Sequence, residues 1–139
     1  MKTFSTTPQN IKRNWHLIDA KDQILGRLST NIASHLIGKN KIYFTSNLDC
    51  GDYVVVINAK NLKVTGNKLH NKKYYRHSGY PGGFKSERLK SLLAKSPLKV
   101  IEHSVKGMLP KNKLRNKRLR RLKIYSDTNH PYQDKFKEN

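Results

Sequence analysis

The period of apolar and polar positions changes several times along the chain, and each change marks an element. Trp15-His16-Leu17-Ile18-Asp19-Ala20 alternates, as a strand with one covered face does. Leu25, Leu28, Ile32, Ala33, Leu36 and Ile37 then recur at the spacing of one helix face. Asp22 reads as the cap before this helix and Gly38 as its stop. Tyr53-Val54-Val55-Val56-Ile57 is apolar without alternation, the pattern of a strand covered on both faces, which parallel sheets contain. Strand, helix and buried strand in that order form a βαβ unit, so the fold class is α/β around a parallel sheet.

Beyond Ile57 the elements shorten. Leu62-Lys63-Val64-Thr65 and Lys73-Tyr74-Tyr75-Arg76 are short strand or extended candidates, and Pro81 with Gly79, Gly82 and Gly83 makes a loop. A helix is predicted next, with Ser86 as cap, Glu87 in its first turn and Leu89, Leu92 and Leu93 facing inward. Pro97 separates it from a second helix carrying Val100, Ile101, Val105, Met108 and Leu109, and Pro110 interrupts again. Lys111 to Leu122 can continue as helix on a thin stripe of Leu114, Leu119 and Leu122. Lys123-Ile124-Tyr125-Ser126 reads as a last short strand. A chain of 139 residues is one domain by its length, here 1–139, with an irregular arm over 1–13 and an irregular tail over 127–139.

Charge adds what the pattern does not contain. Lys and Arg total 29 against 9 acidic residues, a formal +20 with a pI near 10.2. Solubility alone needs roughly 2 to 8 net charges in a small domain, so the surplus points to a polyanionic partner. A single cysteine, Cys50, excludes a disulfide framework and a multi-thiolate zinc site. The longest apolar run, Tyr53 to Ile57, is far below the roughly 20 residues of a membrane span. No apolar stretch follows Met1-Lys2-Thr3-Phe4, so no targeting segment is expected.

The cations concentrate in two places. From Lys111 to Lys123, eight of thirteen residues are basic (Lys111, Lys113, Arg115, Lys117, Arg118, Arg120, Arg121 and Lys123) and none is acidic. As a helix this run would repel itself, with no i,i+4 carboxylate to compensate. A charge run is ordinarily a solvated face, but the single sign here favours an external anion. Arginine forks grip phosphate with two hydrogen bonds, and lysines add mobile charge. The second place is Gly66 to His77, where Lys68, Lys72, Lys73 and Arg76 are interleaved with His70, Tyr74, Tyr75 and His77. Cations there hold a backbone while rings stack on unpaired bases. One of Tyr74 and Tyr75 is expected to pack inward, and the pattern leaves open which.

Enzymatic readings fare less well. Gly79-Tyr80-Pro81-Gly82-Gly83-Phe84-Lys85-Ser86 resembles a nucleotide phosphate loop, except that Phe84 replaces the last glycine, whose absent side chain lets backbone amides curl around phosphate. The strand at Tyr53–Ile57 ends at Asn58, where a nucleotide hydrolase would place a magnesium-holding acid. Such a glycine-rich loop, with Lys85, can instead meet a phosphate of RNA. His16, His35, His70, His77, His103 and His130 are scattered without ligand spacing, and His35 and His103 read as ordinary boundary residues. Asp49 and Asp52 flank a glycine turn, and Cys50 reads as a small packed residue. The chain is therefore expected to be no enzyme, with no metal, no cofactor, no small-molecule substrate and no membrane.

A resemblance sharpens this. Asn14-Trp15-His16-Leu17-Ile18-Asp19-Ala20, Leu25-Gly26-Arg27-Leu28, Asp49 to Ala59, Val64-Thr65-Gly66-Asn67-Lys68, Tyr74 to Gly79, Gly82-Gly83 and above all Val105-Lys106-Gly107-Met108-Leu109-Pro110-Lys111 stand in the order and spacing of one family. Over nearly its whole length the chain resembles the ribosomal protein L13 family (uL13) of the bacterial and organellar type. Arg115 departs from the family pattern by standing where a small residue is usual, and His130-Pro131-Tyr132-Gln133 departs from it in the tail. The resemblance implies a three-layer α/β/α fold on a short parallel sheet with basic helical and loop extensions. It further implies a structural role on the large ribosomal subunit, contact with 23S-type ribosomal RNA and neighbouring subunit proteins, and participation in early assembly. Under it, the Gly66 to His77 segment and the basic run after Pro110 face RNA, on ribosomes of a bacterial cytoplasm, plastid stroma or mitochondrial matrix; Lys85 and Lys106 are further expected RNA contacts. A nucleotide hydrolase and a nucleic-acid-binding regulator acting off the ribosome are the competing readings.

Overall fold

In the computed structural model, which describes residues 3–137, the unalternating run becomes the centre of a parallel sheet. Strand β2 (Tyr53–Ile57) pairs in parallel with β1 (Trp15–Asp19) on one side and with β5 (Leu122–Ile124) on the other. Val54, Val55 and Val56 are fully buried, as a strand covered on both faces requires. Between β1 and β2 lies α1 (Leu25–Ile37), whose apolar stripe of Leu25, Leu28, Ile32, Ala33, Leu36 and Ile37 enters the core as its spacing predicts. Gly38 ends the helix in the left-handed conformation, at φ +84°.

The two faces of the sheet are covered differently. Ile18, Val54, Val56 and Leu122 join α1 and α4 (Pro97–Met108) in one apolar cluster, to which α4 brings Val100, Ile101 and Val105. On the opposite face Trp15 stacks on Tyr53, with ring centroids 4.3 Å apart. Tyr132 and the edge of Phe136 close over Trp15 at 5.1 and 6.4 Å. The layer on that side thus comes from the C-terminal segment, whose 3-10 turn Gln133–Phe136 gives the tail more order than its sequence suggests.

The second half holds α2 (Lys68–Asn71), the antiparallel hairpin of β3 (Lys73–His77) and β4 (Phe84–Arg88), then α3 (Leu89–Lys95), α4 and the short α5 (Leu114–Arg120). Pro97 opens α4 at a first-turn position, where its missing N–H costs nothing.

Several sequence expectations are corrected. Ser86 and Glu87 lie in β4 and not at a helix start, because pairing with Tyr75 and Tyr74 across the hairpin outweighs their capping preference. The phosphate-loop resemblance falls with them, since Gly79 to Gly83 turns between two antiparallel strands. Of the two readings for Leu62 to Thr65 the extended one holds, with a single bridge between Lys63 and Ile24. Asp22 does not cap α1. It sits at φ +60° with its N–H donated to Asn61 O, and its carboxylate pairs with Lys63 at 2.8 Å. Met108 is 42% exposed and not part of the core, while the neighbouring Leu109 is buried.

Candidate nucleic-acid interface

The loop from Asp49 to Asp52 fixes one of the cationic regions to the body. Gly51 is pressed against the last turn of α1, so closely that a Cβ there would lie 1.7 Å from Leu36 O. Asp52 N–H donates to His35 O in the same turn. This packing aims Asp49 at the end of α5, where both Asp49 oxygens accept from Arg121 Nη1 and Nη2, each at 2.6 Å. Arg118 Nε lies 3.7 Å from Asp49 Oδ1, buried and with no hydrogen-bond partner among the described residues. Arg13 reaches in from the arm, donating to Gly51 O at 2.6 Å and Asp49 O at 3.0 Å. Burial pushes the Asp49 carboxyl up, but the Arg121 fork and the charges of Arg121, Arg13 and Arg118 outweigh it and hold the group below its ordinary value.

The compensation missing within the basic run is therefore present in space. It comes from a carboxylate 72 positions away from Arg121 in sequence. Two of the residues expected at the RNA lie inside the fold, Arg118 at 1% and Arg121 at 7% exposure. Their charge is spent on Asp49, and they are withdrawn from the surface offered to an anion.

The other expected residues lie further out. Lys111 and Lys113 are exposed in the turn before α5, and Lys117 and Arg120 are exposed on it. Arg115 is half-buried, its guanidinium donating to Lys106 O at the end of α4, where a cation meets the negative end of the helix. Lys106 itself is exposed, and Lys123 on β5 is half-buried.

The hairpin forms the second region. Lys68 on α2 and Lys72, Lys73, Arg76, His77 and Lys85 are all exposed. Tyr74 is the inward member of its pair, edge-on to His103 with centroids 4.9 Å apart. Burial raises its hydroxyl above the ordinary value, and Lys72 Nζ lies 5.5 Å from its ring centre. His77 is tied to the turn, its Nδ1 accepting from Gly79 N–H at 2.8 Å. In the groove between the hairpin and α3 and α4, Glu87 pairs with Lys95 at 2.7 Å. Arg76 and Lys85, which line the same groove, have no ion pair among the described residues. The same holds for Lys68, Lys72, Lys73, Lys106, Lys111, Lys113, Arg115, Lys117, Arg120 and Lys123, because Asp22, Asp49, Asp52, Glu87, Asp127 and Asp134 pair with other cations.

The strands also brought forward residues the sequence reading passed over. Phe84 reads there as the flaw in a phosphate loop, and Arg88 is not singled out. In the structure Phe84 stacks on Tyr75, and Arg88 stands opposite Lys73. Two segments of equal length, Lys73–His77 and Phe84–Arg88, on either side of a glycine and proline turn were the available signal.

The histidines are less scattered than their spacing suggests. His16 and His35 stack with centroids 4.2 Å apart, and one ligand atom from each lies within 4.8 Å of Asp52 and of the other. Both Asp52 oxygens are already engaged: Oδ1 accepts from Asn14 N–H at 3.0 Å and pairs with Lys41 at 2.5 Å, while Oδ2 accepts from His16 Nε2 at 2.8 Å. Burial raises Asp52, and the hydrogen bonds from Lys41, Asn14 and His16 more than reverse the shift. The arrangement is a neutralised structural cluster, in which a metal would have to displace Lys41. Cys50 is fully buried, as expected of a small packed residue.

Residues 13–131 match the family model described as Ribosomal protein L13. The chain is 53% identical over 132 residues to "Large ribosomal subunit protein uL13" of Dehalococcoides mccartyi strain CBDB1, covering 95% of this chain and 92% of that protein. It is 54% identical to the protein of the same name from Stutzerimonas stutzeri strain A1501, with 95% and 93% covered. For that of Baumannia cicadellinicola the identity is 51% at the same coverage.

Proposed function

The chain belongs to the ribosomal protein L13 family and is a structural, non-enzymatic constituent of the large ribosomal subunit, and on that premise we propose which of its surfaces hold the RNA. Ribosomal RNA binding and a part in assembly are general to the family. Here the contact is made by two surfaces: the β3–β4 hairpin with α2, and α5 with the turn before it. Lys68, Lys72, Lys73, Arg76 and Lys85 act on the first, and Lys106, Lys111, Lys113, Lys117 and Arg120 on the second. Half-buried Arg115 and Lys123 border the second.

The single observation that carries this reading is the separation of two kinds of cation. Arg118 and Arg121 turn inward onto the one carboxylate available to them. The exposed cations around them have no anion partner among the described residues. Leaving like charges together costs stability, and a phosphate backbone offsets that cost by releasing its condensed counterions. Phosphate contacts position a protein without reading bases, which suits a scaffold. No helix among the described residues is long and apolar enough to cross a membrane. The site of action is the ribosome, in a bacterial cytoplasm or an organelle, beside neighbouring large-subunit proteins.

A sucrose gradient of cells expressing a tagged chain, followed by crosslink mapping, tests this. The protein is expected in the large-subunit fractions, crosslinked to ribosomal RNA from both surfaces. Recovery mainly in slow-sedimenting fractions, free of subunits, would support the regulator reading instead.

A further inference from the structure

The β3–β4 hairpin presents two faces of different chemistry. Side chains alternate across a strand, so Lys73, Tyr75 and His77 share one face with Phe84, Ser86 and Arg88, given the observed register. Tyr74, Arg76, Lys85 and Glu87 occupy the other. Tyr74 meets His103 of α4, so that second face is the one turned to the body. The first is uncovered: Tyr75 is 65% and Phe84 61% exposed, yet their rings stack on each other with centroids 5.5 Å apart at 21°. Tyr80, at the turn beyond them, is 76% exposed.

The charges around this pair are arranged against the hairpin's own stability. On the outer face Lys73 stands opposite Arg88, and on the inner face Arg76 stands opposite Lys85, and like charges directly opposite each other destabilise a ladder. A two-stranded ribbon is marginal to begin with. Two aromatic rings left open to water and the unrelieved Lys73–Arg88 pair on the same face together indicate an occupant that is both flat and anionic. An unpaired nucleotide has both properties, a π face for the rings and a phosphate for the cations. A paired base has neither face free, being stacked within its helix. A protein partner would need an acidic surface around an apolar centre to match the same ribbon.

We infer that the outer face of the β3–β4 hairpin is a stacking platform, on which an unpaired base of RNA extends the Tyr75–Phe84 stack while Lys73 and Arg88 hold the adjoining phosphates. This rests on the RNA-binding reading above and adds to it a preference for single-stranded over paired RNA, located at two residues. The cations act on any RNA, and the rings act on unpaired bases alone.

The test uses the full chain with three probes: a transcript of large-subunit ribosomal RNA, a single-stranded RNA decamer carrying 2-aminopurine, and the duplex of that decamer with its complement. The wild type is expected to bind the decamer more tightly than the duplex and to quench the 2-aminopurine. Tyr75→Leu with Phe84→Leu is expected to lower decamer affinity about 10- to 100-fold, abolish quenching, and leave duplex affinity within about twofold. Tyr75→Trp, which keeps a ring at the position, is expected to retain both affinity and quenching, and so separates stacking from damage to the hairpin. Unchanged decamer affinity in the double variant, or an equal loss on the duplex, overturns the platform and leaves the RNA-binding reading standing. If the double variant binds RNA normally but fails to enter subunits, a protein occupies the face and the platform is equally overturned. A wild type that fails to bind even the ribosomal transcript removes the RNA-binding reading, and the platform with it.

Discussion

Asp49 shows at the scale of one residue how a strongly basic chain remains folded. It is the only carboxylate within reach of Arg118 and Arg121 among the described residues, and both arginines are buried. Removing one member of such a set leaves uncompensated buried charge, whereas removing the set together need not. Asp49→Ala is therefore expected to destabilise the fold by about 3 kcal/mol in urea unfolding. Asp49→Leu combined with Arg121→Met should cost clearly less than the two single changes added, and simple additivity would show that the groups are not coupled. The same residues set the response to acid. Burial raises Asp49 and Asp52, yet their cationic partners win and both folded-state values are lowered. Their contribution is fully present above the unfolded carboxylate value of about 3.9 and is lost as pH falls through the lower folded values. His35 acts in the same direction at higher pH. Burial first, then the nearby His16, lowers its value, so protonation favours the unfolded chain once pH drops below about 6.5. Denaturation at a series of pH values should show a shallow loss of stability below about 6.5 and a steep one below about 4.

At the scale of elements, the hairpin and α5 face the same electrostatic problem and solve it differently. Helix α5 is pinned by a carboxylate at its C-terminal end and by the bond from Arg115 to the end of α4. The hairpin has only Glu87, which Lys95 takes, so its cross-strand cations stay unrelieved. Stability and RNA affinity should therefore move in opposite directions there. Lys85→Glu places a carboxylate opposite Arg76 and is expected to raise thermal stability by up to about 1 kcal/mol, while weakening binding to ribosomal RNA. A variant that loses both stability and affinity would show that Lys85 serves the fold.

For the whole molecule the governing quantity is the charge of +20, which makes affinity a function of salt. If six to ten phosphates are neutralised, binding to ribosomal RNA should fall about 10³- to 10⁵-fold between 50 and 200 mM salt. Replacing Lys111, Lys113, Lys117 and Arg120 with Gln should flatten the slope of log affinity against log salt by about 3 to 4, whereas an unchanged slope would place the phosphates elsewhere. Much of this was written in local pattern. The run Tyr53–Ile57 fixed a central strand and the stripe from Leu25 to Ile37 a helix against it, and the two basic segments raised the expectation of a polyanion partner, because periodicity and net charge are sums over neighbouring residues. Ordered motifs from Asn14 to Lys111 fixed the family. Only the folded chain could decide which cations were free to act. Whether Arg118 meets a phosphate or Asp49, whether Ser86 caps a helix or pairs with Tyr75, and which of Tyr74 and Tyr75 turns inward all depend on partners remote in sequence. A buried charge and a strand register are properties of the contact, and neither residue of a contact carries it alone.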